Sequence, residues 1–183
     1  MFKILHENFN LSGTVAVIIW AGSEEILKFL AFYFTAFRKK YLDEPIDAVI
    51  YLIATALGFA ALENAFFITC SLSSDTVIAS LVMLDLRFVG ATLLHIVSSA
   101  SIGIAIALSF YKQAWIRRLY LFTGLLLAIL LHSFFNLSII ESGGDGRKTF
   151  AIFSLIWLGI ILLLLLFEKI KTIYPINRYY GKK

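Results

Sequence analysis

Charge is scarce in this sequence. Of its 183 residues, 15% are Asp, Glu, Lys or Arg and 60% are hydrophobic, whereas soluble domains carry about 25% charged residues. That is too little polar surface to coat a water-soluble globule, and a mean hydropathy of +0.88 points to lipid as the main solvent. Cysteine is nearly absent too. With Cys70 alone no intrachain disulfide can form, and a small apolar residue near a helix end is the plain reading of it. A cleavable leader is missing from the pattern. The first apolar stretch holds Glu24, Glu25 and Lys28, which the apolar core of a signal peptide excludes. There is no linker long enough to divide the chain and no internal repeat. The length suits a single transmembrane domain over residues 1–183.

What the sequence does contain is long apolar runs. A spanning helix needs about 20 mostly apolar residues, and five stretches qualify: Leu11 to Phe37, Ile46 to Cys70, Arg87 to Tyr111, Leu119 to Ile140, and Phe150 to Phe167. The run from Val77 to Tyr111 is too long for one span, so Val77 to Leu86 is read as a short interfacial segment before the third. The predicted fold is an all-α, polytopic transmembrane helix bundle. Its connections are short, with Pro45 at the start of a helix and Gly143, Gly144 and Gly146 in the last turn.

The net charge of +4 is explained by topology rather than by nucleic acid, and no nucleic-acid partner is expected. Eleven Lys and Arg fall in the loop from Arg38, the loop from Lys112 and the tail from Lys169, all on one side; three, Lys3, Arg147 and Lys148, fall on the other. By the positive-inside rule the N-terminus is outside and the C-terminus cytoplasmic, in a multi-pass protein of the cell membrane.

Ionisable groups inside spans cost about 2.5–3.5 kcal/mol each on insertion scales, so their presence here is informative. Span one has Glu24, Glu25 and Lys28, span two Glu63 and Asn64, span three Arg87 and His95, span four His132 and Asn136. Span five has none before Glu168 and reads as a supporting helix. Lys28 can touch Glu24 at four residues' spacing or Glu25 at three. Arg87, Ala91, His95, Ser99, Gly103 and Ala107 recur every four residues, as do Gly124, Ala128, His132 and Asn136. Such small-residue ridges let helices approach closely and turn the two imidazoles inward. With the N-terminus outward, His95, His132, Asn136 and Glu63 lie within roughly two turns of the outer surface and Glu24 and Glu25 somewhat deeper, near the midplane, which predicts one polar site in the outer half of the bilayer.

Each residue also has a plainer reading. A lone membrane histidine usually packs or bonds, Glu24, Glu25 and Lys28 would make an internal ion pair, Glu63 and Asn64 an interhelical hydrogen-bond pair, and Arg87 would snorkel or pair with Glu63. Taken together, a carboxylate and two imidazoles can activate water, and an imidazole with an amide can hold an oxyanion. His and Glu are also zinc ligands, but H-E-x-x-H is absent.

Glu24-Glu25-Ile-Leu-Lys28, Gly58-Phe59-Ala-Ala-Leu-Glu63-Asn64, Arg87 with His95, and His132-Ser-Phe-Phe-Asn136 together resemble the PrsW family of intramembrane proteases. That family is similar to the CAAX prenyl endopeptidases and bacteriocin-processing membrane proteins. The resemblance implies that Glu24 and Glu25 supply the water-activating carboxylate with His95 assisting, and that His132 and Asn136 hold the oxyanion. Glu63 would orient the site or share the base role, with Lys28, Asn64 and Arg87 in support. The implied substrate is a membrane-anchored, single-span protein of the anti-sigma-factor kind, cut near its outer side. No cofactor is expected, because Lys28 lies one turn from either acidic residue and Asn136 suits an oxyanion better than zinc. The alternative is Zn2+ or another divalent metal on His95, His132 and Glu24, Glu25 or Glu63. The competing function is a non-catalytic ion or proton pathway, or a scaffold for single-span partners. The sequence is silent on oligomeric state.

Overall fold

The computed structural model describes residues 13–37, 41–72 and 77–173, the side chains of 70–87 excepted. Among the described residues every regular element is helical. In chain order they are α1 (Gly13–Phe32) with a π-helical turn at Tyr33–Phe37, α2 (Pro45–Leu72), α3 (Val77–Leu108), α4 (Ala114–Ser142) and α5 (Gly146–Ile170). The expected interfacial segment is continuous with the third span: α3 runs unbroken from Val77 to Leu108, and among the described residues its candidate span is Phe88–Leu108.

Among the described residues four helices, α2 to α5, are long and apolar enough to cross a membrane. The protein is a multi-pass membrane protein. α1 differs because it holds three charges, and all three face inward. Its buried stripe is Ala16, Val17, Ala21, Gly22, Glu24, Glu25, Lys28 and Phe32. Its outward face carries Val15, Ile18, Ile19, Ile26, Leu27 and Leu30. Polar inside and apolar outside is the arrangement lipid demands of a helix with ionisable residues.

Local chemistry sets the helix ends. Pro45 opens α2, where its missing N–H costs nothing, and Asp47 Oδ2 reaches back to accept from the N–H groups of Glu44 (2.8 Å) and Asp43 (3.2 Å). α4 stops at Gly143, whose φ of 58° suits the left-handed cap and whose N–H donates to Ile140 O. Asp145 then caps α5 by accepting from the Arg147 N–H at 2.8 Å.

α3 is the central helix. Of its apolar span 67% is buried within the protein, against 6% for α5. Lipid supplies no hydrophobic drive for this association, so close van der Waals packing must hold α3 in place. The sequence provides for it. Ile102 and Ile106 pack with Phe32, Ala48, Leu52 and Ala128, while Ala100, Ile104 and Ala107 pack with Val49 and Ile170. The closest approach of a glycine to a neighbouring helix's backbone is at Gly103, where a Cβ would lie 2.7 Å from Val49 Cα and 3.0 Å from Ala48 O. These are backbone atoms and cannot swing aside. Gly103→Ala is therefore expected to destabilise by about 1–3 kcal/mol, outweighing the roughly 1 kcal/mol gain in helix propensity. Gly58, with nothing within 4 Å of its Cβ position, is the control. Thermal unfolding in detergent should show a lowered midpoint for Gly103→Ala and none for Gly58→Ala. Equal midpoints would mean the helices do not meet at this glycine.

Candidate active site

The polar residues of α1, α2, α3 and α4 meet. Lys28, His95, His132 and both α1 glutamates are buried. Of the two possible α1 pairs, Lys28 takes Glu25: its ammonium donates to Glu25 Oε1. It also donates to His95 Nδ1 at 3.0 Å and lies 5.3 Å from the Phe59 ring centre. The other His95 nitrogen, Nε2, donates to Glu63 Oε2 at 2.8 Å. His132 Nδ1 donates to Glu25 Oε1 at 2.7 Å, and its Nε2 lies 3.5 Å from Glu24 Oε2. The two imidazoles are 5.1 Å apart, edge to face. These tautomers follow from the partners, since a carboxylate accepts and an ammonium donates.

The two glutamates thus have opposite situations. Glu25 is saturated. Besides Lys28 and His132 it accepts from Ser98 Oγ at 2.9 Å and Ser99 Oγ at 3.5 Å. Glu24 Oε2 is buried with no hydrogen-bond partner among the described residues. It faces His132 Nε2, which is itself an acceptor in the neutral ring once Nδ1 carries the proton. Two acceptors facing each other in a buried site are unfavourable unless a proton, a water or a cation lies between them.

The expected site residues divide accordingly. Glu24, Glu25, Lys28, Glu63, His95 and His132 come together. Asn64 is buried but donates to Thr92 Oγ1 at 3.4 Å, tying α2 to α3. Asn136 is half-buried, and no hydrogen bond joins it to the cluster among the described residues. Arg87 lies in α3, but its side chain is outside the described residues. Ser98 was missed, and Ser99 was counted only for its smallness. The signal was their spacing, three and four residues after His95, which puts both hydroxyls on the imidazole's side of the helix. A separate pocket of ≈ 370 Å³, lined by Thr35, Tyr41, Tyr51 and Thr55 among others, contains none of these acidic or imidazole groups.

One ligand atom each from Glu24, His95 and His132 lies within 4.8 Å of the others. Two imidazoles and a carboxylate are a known catalytic zinc set, with a fourth position left for water. Each imidazole has one nitrogen held by a carboxylate, His95 by Glu63 and His132 by Glu25, as metal-ligating histidines usually do. The 3.5 Å between Glu24 Oε2 and His132 Nε2 is short enough for both to reach one ion at about 2.0–2.2 Å. His95 is the exception, since its Nδ1 is engaged by Lys28 and would have to exchange that bond. The donor set fits a divalent ion. Both grounds for expecting none are altered, because Lys28 is matched by Glu25 and Asn136 does not join the cluster.

A family model described as "PrsW family intramembrane metalloprotease" matches residues 1–166. This chain belongs to the PrsW family. Among its relatives, Protease PrsW of Shouchella clausii (strain KSM-K16) is 28% identical over 171 residues, covering 93% of this chain and 73% of that protein. Protease PrsW of Geobacillus kaustophilus (strain HTA426) is 29% identical over 116 residues, covering 62% and 46%. Protease PrsW of Clostridioides difficile (strain 630) is 30% identical over 135 residues, covering 73% and 52%. The chain spans about half the length of the latter two PrsW proteins. No solved structure matches it.

Proposed function

We propose that this chain is an endopeptidase that hydrolyses membrane-anchored proteins within the bilayer, with a divalent ion held by Glu24, His95 and His132. The observation that carries the reading is the convergence of those three ligand atoms within 4.8 Å beside a buried carboxylate oxygen that no hydrogen bond satisfies. An ion there would polarise the scissile carbonyl and make its bound water a nucleophile near neutral pH. The chain's own residues do the rest. Glu25, fixed by Lys28 and the serines, holds His132 in one tautomer. Glu63, whose side chain is the most exposed of the cluster at 29%, takes a proton from the attacking water and returns it to the leaving amine. A water held directly by Glu24, with no ion, is the other route to the same hydrolysis. The excess of Lys and Arg on the C-terminal side supports an outward N-terminus. With it goes a single-span substrate of the anti-sigma-factor kind, cut near its outer side.

The test is cleavage of single-span membrane proteins by the purified chain in detergent, with metal analysis. One divalent ion per chain is expected, with cleavage lost to a strong chelator and restored by Zn2+. Cleavage that survives complete metal removal would assign water activation to Glu24 directly. Altered ion or proton flux with no cleaved product from any single-span protein would instead favour a conducting pathway.

A further inference from the structure

Glu25 is completely buried and accepts from donors on three helices. Ser98 and Ser99 come from the same turn of α3 as His95. A serine hydroxyl in a helix commonly returns its proton to a carbonyl three or four residues back. Ser101 does so to Ser98 O at 2.6 Å and Ser109 to Ala105 O at 2.9 Å. Ser98 has that option too, at 3.2 Å from His95 O, yet its shorter contact is with Glu25 Oε1 at 2.9 Å. A bond to an ionised carboxylate is the stronger of the two. Ser98 Oγ is therefore spent across the helix interface and not on its own backbone.

We propose that Ser98 is a positioning residue: its hydroxyl, backed by Ser99, fixes the Glu25 carboxylate so that His132 is held with Nδ1 protonated and Nε2 turned to Glu24. The inference rests on reading Glu24 and His132 as the working groups. Glu25 Oε1 receives Lys28, Ser98 and His132 together. Removing the serine leaves the carboxylate with its charge partner but without the contact that sets its rotation. Its bond to His132 depends on that rotation, and with no ion on Nε2 that bond holds the ring proton at Nδ1 against the Glu24 carboxylate at the other nitrogen.

The experiment uses the full chain, stripped of divalent ions with a chelator so that only the protein sets the tautomer, in detergent micelles with 15N-labelled histidine, as wild type, Ser98→Ala and Ser98→Thr, and a His132→Gln variant assigns the signals. Wild type is expected to show a protected His132 Nδ1–H proton and the nitrogen shifts of that tautomer. Ser98→Ala should lose the protected proton and mix the tautomers, and Ser98→Thr, which keeps the hydroxyl, should restore both. In cleavage assays Ser98→Ala should lower kcat about 10–100-fold, as losses of groups behind a ligand do, with KM within about twofold, and Ser98→Thr should recover most of it. A Ser98→Ala chain with the wild-type His132 spectrum overturns the inference. If the wild type cleaves nothing, the proposed function fails, while the spectrum still decides Ser98. Should Ser98→Ala not fold, Ser98→Cys takes its place, with the same spectral loss expected because a thiol is a weak donor.

Discussion

Glu24→Gln is expected to fold and to be inactive, with cleavage down by at least about 100-fold, because a group that holds the reacting water, directly or through an ion, must outweigh the roughly 10–100-fold typical of groups behind a ligand. Gln has the shape of Glu without its charge. The oxygen that changes has no hydrogen-bond partner among the described residues, so little structure depends on it. What is lost is the anion that faces His132 Nε2 at 3.5 Å, which a water or a cation needs. Glu25→Gln should cost stability as well as activity. Its carboxylate accepts from Lys28, His132, Ser98 and Ser99, and an amide presents two N–H donors to a ring of donors. Its thermal midpoint should fall where that of Glu24→Gln does not. Cleavage rate and thermal midpoint, measured together on both variants, separate the two residues. Wild-type cleavage by Glu24→Gln would remove that residue from the chemistry.

The largest stability effect is expected from Lys28→Met. Lys28 and Glu25 are both fully buried, and removing one member of such a pair leaves an uncompensated charge, at a cost of about 3–5 kcal/mol. Methionine fits the volume, so the loss is electrostatic rather than a cavity. The double variant Lys28→Met/Glu25→Gln removes both charges and should be markedly more stable than Lys28→Met, though still inactive. Unfolding midpoints in detergent give the comparison. If Lys28→Met matches the wild type, the pair is not what holds α1 to its neighbours.

Much of this was legible in the sequence because lipid makes polar residues conspicuous. The four-residue repeat through His95, Ser99 and Gly103 does face inward: His95 and Ser99 are buried, and Gly103 meets the α2 backbone. The same holds for Gly124, Ala128 and His132. Spacing could not separate Glu24 from Glu25, because both lie within reach of Lys28 on one helix. Only the rotation of α1 against α3 and α4 decides which carboxylate is surrounded by donors. Asn136 shows the converse limit. It shares a ridge with His132, but a ridge fixes direction and not depth, and one turn moves a side chain about 5.4 Å along the axis, out of reach of the cluster. Ser98 and Ser99 were hard to see because a serine in a membrane helix usually bonds its own backbone, and nothing in the chain marks an exception.

The placement of three charges on α1 bears on how the protein is made. His132 follows Glu25 by 107 residues and Ser98 follows it by 73. Synthesis at about 5–20 residues per second means that α1 leaves the ribosome some 5–20 seconds before its last partner exists. Until α3 arrives Lys28 can match no imidazole, and until α4 arrives neither glutamate has its own. A helix in that state partitions poorly into hydrocarbon. It must wait at the insertion machinery or along the headgroup layer until α3 and α4 arrive. Insertion of α1 is therefore coupled to the completion of α4, and a chain that stalls before His132 is one whose first helix has no settled place in the membrane.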